Sequence, residues 1–260
     1  MSDLLPVALE AARAGARLLA KGGLPRPGGP AALKAEGDYV TESDRQSEAL
    51  IVEHLSRLAP GIPILAEEAG GAREGTRWAV DPLDGTTNFT RGFPVVGVAV
   101  ALLEAGRPVL GVVIAPFLGL EFAAASGQGV TLNGDPLPKL GPGNPARAVV
   151  ATGFPFRNKR RWPRHQAVFE RAFQRFEDVR RAGSASLDLA WTASGTFDGY
   201  FELNLGTWDV AAGAALVLEA GGRVSDWGGG EGWVESGDIL AGAPAVHEAL
   251  LELAAKAPEG

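Results

Sequence analysis

Trp78-Ala-Val-Asp81-Pro-Leu-Asp84-Gly-Thr-Thr-Asn-Phe89 combines two carboxylates with a glycine and two threonines. The apolar residues before Asp81 predict a short buried strand, which Pro82 is expected to end. Asp84 follows about one helical turn later, and Gly85-Thr86-Thr87 is typical of the first turn of a helix, where free backbone N–H groups bind anions. The stretch therefore predicts two carboxylates beside an anion-binding turn.

A second acidic pair, Glu67-Glu68, closes the apolar run Ile64 to Ala66 a few residues upstream. Taken alone, Asp81-x-x-Asp84-Gly is also compatible with an ordinary turn, because Asp-Gly is a common turn pair. Two carboxylates about 5 Å apart, however, repel each other by roughly 3 kcal/mol at an effective dielectric near 20. If the strand ends converge, the acids need an opposing charge, which a hard divalent cation with oxygen ligands supplies.

Composition limits the chemistry that is open to the chain. Its 260 residues are 46% hydrophobic and 21% charged, which is typical of a globular protein with one large domain or two packed lobes. There is no cysteine, which excludes disulfides, thiolate nucleophiles and Cys-ligated zinc. The three histidines, His54, His165 and His247, are scattered in helix-like surface patterns, so we expect structural or solvated roles. Carboxylates remain as the catalytic groups.

Charge and hydropathy also restrict partners and location. The net charge of −7 argues against nucleic acid as a main partner. No apolar run is long enough to span a membrane and the N-terminus lacks a signal-peptide pattern, so we expect a cytoplasmic protein without a membrane partner. The excess of Arg over Lys, with few Met and no Cys, fits a heat-adapted or GC-rich bacterial source.

The order of predicted elements differs between the two halves of the chain. The first half has amphipathic helices over 4–20 and 41–58, followed by β-branched runs at 95–103, 109–115 and 120–125, which predict adjacent antiparallel strands. From residue 146 onward, strands and helices alternate. We therefore predict an α+β lobe over 1–140 and an α/β lobe over 141–260, with a boundary near Gly141-Pro-Gly-Asn144.

Two further acids lie at predicted helix starts. Thr41 with Asp44 three residues later has the form of a capping box. Thr207 could cap the next helix of interest and Asp209 would lie in its first turn, where a carboxylate is favoured by ~0.3–1 kcal/mol through the helix dipole. Each acid thus has a structural explanation that needs no catalytic role.

Four motifs in this order resemble the inositol monophosphatase family of metal-dependent, lithium-sensitive phosphatases. They are Asp38-Tyr-Val-Thr41-x-x-Asp44, Ala66-Glu67-Glu68, Asp81-Pro-Leu-Asp84-Gly-Thr-Thr-Asn-Phe89 and Trp208-Asp209-Val-Ala-Ala-Gly213. Gly183-Ser-Ala-Ser-Leu-Asp-Leu189 and Thr152-Gly-Phe-Pro-Phe156 are similar to the bacterial branch. The resemblance implies an α+β / α/β fold, a layered αβαβα sandwich of the inositol monophosphatase/fructose-1,6-bisphosphatase type, with the active site between its lobes.

The resemblance also implies the ligands of two Mg²⁺ ions. Glu67, Asp81 and the Leu83 carbonyl would hold the first ion, and Asp81, Asp84 and Asp209 would hold the second. A weaker third ion would share Glu67. In this family, Lys34 and Asp38 belong to a mobile loop over the metals.

The chemistry implied is hydrolysis of a phosphate monoester, most of all inositol 1-phosphate, by in-line attack of water between two cations. The catalytic residues would be Asp44, Thr86 and Glu67, with Thr86 and Asp44 orienting the water and taking its proton. Glu202 matches the position that accepts hydroxyl hydrogen bonds from a polyol. The substrate contacts expected on this basis are Asp84, Gly85, Thr86, Thr87, Ala185, Glu202 and Asp209.

The sequence leaves other functions open. Fructose-1,6-bisphosphatase activity, alone or beside inositol phosphatase activity, would need a basic residue for a second phosphate, with Arg157, Arg180 and Arg181 as candidates. Nucleotide bisphosphates fit the motifs less well. A regulatory or RNA-processing partner, with the basic segment 157–164 as its contact, is the alternative of another class. We also expect a homodimer.

Overall fold

The structure, a computed structural model, describes residues 4–26, 32–35 and 38–258. Its helices are α1 (Leu5–Gly22), α2 (Glu42–Leu58), α3 (Thr86–Thr90), α4 (Trp162–Arg175), α5 (Ala185–Ala193), α6 (Thr207–Glu219), α7 (Trp233–Ser236) and α8 (Pro244–Ala255). Its strands are β1 (Ala32–Ala35), β2 (Asp38–Val40), β3 (Ile64–Ala66), β4 (Gly70–Gly71), β5 (Arg77–Asp84), β6 (Gly97–Glu104), β7 (Arg107–Ala115), β8 (Leu120–Ala125), β9 (Gly129–Leu132), β10 (Asp135–Pro136), β11 (Val149–Thr152), β12 (Asp178–Arg180), β13 (Gly199–Glu202), β14 (Arg223–Ser225) and β15 (Ile239–Gly242).

These elements stack in five layers. Helices α1 and α2 cover one face of an eight-stranded sheet with the order β10-β9-β8-β7-β6-β5-β3-β4. Helices α5 and α6 lie between this sheet and a five-stranded sheet with the order β12-β11-β13-β15-β14. Helices α4 and α8 cover the outer face of the second sheet. The chain therefore has the layered αβαβα fold that the resemblance implies.

Small residues allow the middle helices to pack closely on the strands. A Cβ atom added to Gly111 of β7 would lie 2.3 Å from the Ala212 carbonyl oxygen of α6. A Cβ atom on Gly213 of α6 would lie 2.4 Å from Cβ of Leu189 in α5. Helix α6 is buried along nearly its whole length because it contacts both sheets. The first turn of α6 is thereby brought against the end of β5.

Strand β5 continues through the proline that was expected to end it. Asp81 pairs with Ala99 of β6, and Asp84 pairs with Gly97, so three steps along β5 face two steps along β6. This extra residue is a β-bulge, which interrupts the ladder without ending the strand. Pro82 lies in the bulge, where it needs no ladder N–H, and its carbonyl oxygen accepts a hydrogen bond from the Ser47 hydroxyl at 2.9 Å.

The bulge decides the direction of both carboxylates. Side chains alternate along a strand, so Ala79 and Asp81 point to the same face, toward the α5–α6 layer. Without the bulge, Asp84 would point to the opposite face, because it is three residues beyond Asp81. The extra residue turns Asp84 back toward α5. Both carboxylates therefore face the middle helix layer.

Several sequence expectations are confirmed and some are wrong. Strands β6, β7 and β8 are antiparallel neighbours as predicted. In the second half, β11 is parallel to β12 and β13, whereas β15 is antiparallel to β13 and β14. The short strands β1, β2, β4, β9 and β10 were not expected. The division into lobes at 1–140 and 141–260 stays a prediction.

The histidines differ from the surface pattern that was expected. His165 and His247 are buried, and burial lowers the pKa of each to about 4, so both are neutral at pH 7. His165 Nε2 lies 3.0 Å from the Thr152 hydroxyl, and His247 Nε2 lies 2.8 Å from the Ser225 hydroxyl. His54 remains partly exposed and contacts Glu10. The two corrections have one cause: the helix faces of α4 and α8 that carry these rings pack against the second sheet.

Among the described residues, no helix has both the length and the apolar character that a membrane crossing requires.

Candidate metal centre

Three acids from distant parts of the chain meet at the end of β5. Asp81 and Asp84 project from the bulge, and Asp209 projects from the first turn of α6. One carboxylate oxygen from each residue lies within 4.8 Å of the other two, and all three residues are buried. The predicted convergence of these acids is therefore present in the fold.

The cluster is electrostatically unfavourable without a cation. Burial raises the pKa of Asp81 well above its ordinary value, and the charges of Glu67, Asp84 and Asp209 raise it further. Burial and the charge of Asp209 also raise the pKa of Asp84, although serine hydrogen bonds oppose this. Buried oxygen donors without nitrogen or sulfur are the ligands that hard divalent cations such as Mg²⁺ prefer. The donor set thus fits the expected metal.

Two serines at the start of α5 hold Asp84 in place. The hydroxyl groups of Ser184 and Ser186 each donate a hydrogen bond of 2.6 Å to Asp84 Oδ2, and the Ser186 N–H donates a third of 2.7 Å. Because one oxygen takes all three hydrogen bonds, Oδ1 is left for the cluster. The serines therefore orient one potential metal ligand from the other half of the chain.

Asp209 is fixed by its own helix. The Gly206 N–H donates a hydrogen bond of 2.6 Å to Asp209 Oδ2, which is the carboxylate half of a capping box. The sequence predicted Thr207 as the N-cap residue of α6, but the N-cap residue is Gly206. The Thr207 hydroxyl instead donates a hydrogen bond of 2.9 Å to the Val234 carbonyl oxygen. Capping and metal binding are compatible roles for Asp209.

Asp44 lies behind the cluster and reaches it through Thr86. The capping box is present: the Thr41 N–H and hydroxyl both donate to Asp44 Oδ2, at 2.8 and 2.5 Å. The Thr86 hydroxyl oxygen lies 3.1 Å from Asp44 Oδ1 and 3.1 Å from the Leu83 carbonyl oxygen. A hydroxyl has one proton, so Thr86 donates to one of these acceptors at a time. Burial raises the pKa of Asp44.

One arginine lies against the acids. Arg157 Nη2 is 3.6 Å from Glu67 Oε1, and Arg157 Nη1 is 3.3 Å from Asp209 Oδ2. The guanidinium thus bridges the two carboxylates that are expected to serve different ions. It reduces the negative charge of the cluster from the solvent side, where the arginine side chain is 39% exposed.

The acids form the floor of an open cleft with a volume of about 130 Å³. Every residue that the sequence assigned to the site lines this cleft except Asp44, which is fully buried behind Thr86. Arg157 and Arg181 also line it, whereas Arg180 lies on the edge strand β12 and pairs with Asp178. The side chains of Lys34 and Asp38 lie outside the described part of the structure. The assigned residues in the wall are Glu67, Asp81, Leu83, Asp84, Gly85, Thr86, Thr87, Ala185, Glu202 and Asp209.

Glu202 occupies the wall opposite β5. The Tyr200 hydroxyl donates a hydrogen bond to Glu202 Oε2. Desolvation raises the pKa of Glu202 to about 8, with the hydrogen bond from Tyr200 acting in the opposite direction and the charge of Asp209 in the same one. The Glu202 carboxyl group therefore lies in the same cleft as the acidic cluster.

Sequence reasoning missed the residues that hold the site in shape. Ser184 and Ser186 were part of a quoted motif but received no role. Asn88 was also overlooked; its amide nitrogen lies 2.8 Å from the Val95 carbonyl oxygen and 2.9 Å from that of Ala182. Ser184 is the N-cap residue of α5, but its hydroxyl donates to Asp84 and not to the helix, so a capping signal would not have identified this contact. Asn88 carries no local signal either, because its acceptors lie seven or more residues away.

Comparison with known proteins shows which family the chain is similar to. The model of the inositol monophosphatase family matches residues 1–259. The chain is 40% identical over 258 residues to the Nus factor SuhB of Escherichia coli strain K12, with 96% of this chain and 95% of that protein covered. It is 39% identical over 254 residues to the Nus factor SuhB of Pasteurella multocida, with the same coverage.

Solved structures agree in fold over the whole chain. The extragenic suppressor protein suhB from Bartonella henselae superposes with a TM-score of 0.89 at 34% identity, covering 98% of this chain and 99% of that one. The inositol monophosphatase from Anabaena (Nostoc) sp. PCC 7120 gives a TM-score of 0.86 at 35% identity, covering 99% and 97%. A whole-length family match, two relatives near 40% identity and two solved structures of the same fold agree: this chain is a member of the inositol monophosphatase family.

Proposed function

We propose that this protein hydrolyses phosphate monoesters in a Mg²⁺-dependent reaction, with inositol 1-phosphate as its best substrate. The observation that carries the proposal is the meeting of Asp81, Asp84 and Asp209 in one cleft. Membership of the family and the similarity to an inositol monophosphatase support it.

The residues present would hold two metal ions, with a third as a weaker option. Glu67, Asp81 and the Leu83 carbonyl form one oxygen set, and Asp81, Asp84 and Asp209 form the other. When bound, Mg²⁺ lowers the pKa of a coordinated water and neutralises charge on the phosphate in an in-line displacement.

The chain's own groups then handle the proton and the substrate. Thr86 lies between Asp44 and the cleft, so its hydroxyl can orient an attacking water while Asp44 accepts the proton through it. Thr87, Gly85 and Ala185 line the cleft beside the starts of α3 and α5 and would bind the phosphate oxygens. Glu202 accepts hydrogen bonds from the hydroxyl groups of the leaving alcohol.

The test is release of phosphate by the purified protein and by Asp84→Asn and Asp209→Asn, with Mg²⁺ and with EDTA. We expect Mg²⁺-dependent turnover that falls by at least about 100-fold in both variants. Asp135→Asn, a change at an exposed carboxylate in β10, is the matched control. Turnover near that of the wild type in both site variants would end the two-metal assignment.

Fructose 1,6-bisphosphate is a second candidate substrate. Two of the three arginines considered for a second phosphate, Arg157 and Arg181, line the cleft. Turnover should be measured side by side on inositol 1-phosphate, fructose 1,6-bisphosphate and an adenosine bisphosphate. If the second substrate is used, Arg181→Gln should raise its KM more than that of inositol 1-phosphate.

A regulatory role is the candidate of another class, because relatives near 40% identity are named Nus factors. The segment 157–164 carries basic side chains beside the exposed rings of Phe156 and Trp162. Salt-sensitive binding to RNA or RNA polymerase would favour this role, and no association at low salt would count against it.

Other features of the proposal concern the whole molecule. We propose that residues 1–140 and 141–260 are lobes that meet at the cleft, with Asp209 and Glu202 supplied by the second. We also propose that the protein is a homodimer, which sedimentation can test, and that it is cytoplasmic, which cell fractionation can test. We further propose that lithium inhibits it and that it is adapted to heat; Li⁺ titration and thermal unfolding measure these two properties.

A further inference from the structure

The carboxyl group of Glu202 is held by two neighbours that the proposed chemistry does not use. Tyr200 and Glu202 are two residues apart on β13, so their side chains share a face of the sheet. The Tyr200 hydroxyl donates to Glu202 Oε2. Within the described residues, this is the one hydrogen bond to that carboxyl group, so Oε1 keeps its full accepting capacity for a ligand in the cleft.

The position of the Tyr200 hydroxyl is fixed by packing. Tyr200 is fully buried in the cluster between the two sheets, among residues of α5 and α6. Burial, together with the charges of Glu202 and Asp188, raises the pKa of Tyr200 well above its ordinary value, so the hydroxyl keeps its proton. Tyr200 therefore acts as a donor to Glu202 from a fixed point.

The second neighbour is Gly153, in the Thr152-Gly-Phe-Pro-Phe156 motif. It directly follows β11, where Thr152 pairs with Phe201, so Gly153 lies next to Glu202 on the adjacent strand. A Cβ atom on Gly153 would lie 2.0 Å from Glu202 Oε2 and 2.2 Å from Oε1. The carboxyl group occupies the volume that any side chain at position 153 would need.

From this geometry we infer that Tyr200 and Gly153 are positioning residues that aim Glu202 Oε1 at a hydroxyl group of the substrate. Tyr200 thereby sets the preference of this protein for polyol phosphates over phosphate monoesters whose leaving group has no hydroxyl. The inference rests on the proposed function, since it concerns the substrate choice of the same cleft.

The experiment compares kcat/KM for inositol 1-phosphate and for 4-nitrophenyl phosphate in the wild type, Tyr200→Phe and Glu202→Gln. Tyr200→Phe keeps the buried ring and removes the hydroxyl alone. Because one hydrogen bond to the Glu202 carboxyl group is lost, we expect kcat/KM for inositol 1-phosphate to fall about three- to tenfold, mainly through KM. The value for 4-nitrophenyl phosphate should change less than about twofold. In the double variant Tyr200→Phe/Glu202→Gln, kcat/KM for inositol 1-phosphate should fall by less than the product of the two single effects, because both changes act on one contact.

Gly153→Ala is the second variant, and Gly141→Ala is its matched control. Gly141 has no atom within 4 Å of an added Cβ and no positive φ, so alanine is accepted there. We expect Gly153→Ala to lower the substrate ratio at least as much as Tyr200→Phe, and Gly141→Ala to leave it unchanged. Binding of myo-inositol phosphate in the presence of Ca²⁺, measured by calorimetry, should follow the same order without turnover.

The outcomes separate the inference from the function beneath it. If the wild type hydrolyses both esters but Tyr200→Phe and Gly153→Ala leave their ratio unchanged, the positioning role is wrong and the phosphatase stands. An equal loss on both esters shows a merely structural role and also overturns the inference. A wild type that releases phosphate from neither ester with Mg²⁺ overturns the proposed function itself.

Discussion

Asp84 Oδ2 lies 2.6 Å from the hydroxyl oxygen of Ser184, a residue 100 positions later in the chain. This contact joins the bulge of β5 to the start of α5, so a proposed metal ligand from one half of the chain is oriented by the other. The site is therefore sensitive to residues that would touch neither metal nor substrate.

The first prediction concerns these serines. In Ser184→Ala/Ser186→Ala, Asp84 keeps only the backbone N–H of residue 186 as a donor, so its carboxylate is less well oriented. We expect Mg²⁺ affinity to fall about 10–100-fold, as is usual when partners of a metal ligand are removed. Calorimetric titration with Mg²⁺ measures this. Ser194→Ala, at the other end of α5, removes a local hydroxyl contact and should leave the affinity unchanged.

The second prediction concerns Asp81, whose carboxyl group is the most disfavoured of the cluster. Its charge is opposed by burial and by three neighbouring acids, and among the described residues its hydrogen-bond donor is the Leu83 N–H at 3.0 Å. Asp81→Asn keeps the acceptor and removes the charge. In EDTA, we expect the variant to melt about 2 °C above the wild type, which corresponds to roughly 1 kcal/mol. We also expect the variant to lose the rise in melting temperature that Mg²⁺ binding causes in the wild type, together with the phosphatase activity. A lower melting temperature in EDTA would contradict the repulsion argument.

The third prediction concerns Arg157, which bridges Glu67 and Asp209. A cation bound to these carboxylates meets a positive charge that is already present. Arg157→Gln should therefore tighten Mg²⁺ binding about threefold, with the size of the effect limited because the side chain is partly exposed. Titration of metal binding at low ionic strength measures it, and Arg160→Gln, at an exposed position three residues away, is the control. Weaker binding in Arg157→Gln would show that the guanidinium supports the metal site.

The fourth prediction concerns the contribution of the buried histidines to stability in mild acid. The pKa of His165 is lowered to about 4 in the folded protein, below the ordinary 6.5. As pH falls from about 6.5 to 4, the unfolded chain therefore binds a proton that the folded protein does not, and stability falls by at most ~3 kcal/mol. Carboxyl groups with raised pKa values, such as Asp81, act with the opposite sign, so the histidine contribution is measured as a difference between variants.

A comparison of variants isolates the histidine contribution. Urea unfolding at pH 7, 6 and 5 should show that acidification changes stability more favourably in His165→Asn than in the wild type. His247, whose pKa is also lowered to about 4, should behave in the same way when it is replaced by Asn. His54→Asn, at a partly exposed ring, is the control and should keep the pH profile of the wild type. Parallel pH profiles in all four proteins would contradict the assignment.

The chain order of apolar runs, turns and capping residues determined much of this protein. The helix starting at Thr41, the antiparallel strands β6 to β8 and the acids at element ends could all be predicted, because each depends on neighbours within a few residues. The residue types at 81–84, in a chain without cysteine, predicted oxygen ligands for a metal on the condition that the acids converge. These predictions depended only on residue types and on neighbours that are close in sequence.

Only the tertiary structure decided how the parts combine. The bulge at Pro82 depends on pairing with β6, and it alone turns Asp84 to the same face as Asp81. The hydrogen bonds from Ser184 and the space that Gly153 leaves for Glu202 join residues about 50 to 100 positions apart. No local pattern encodes such contacts, because they arise when distant segments pack on a shared core. The sequence therefore determined which groups the site contains, and packing decided their directions.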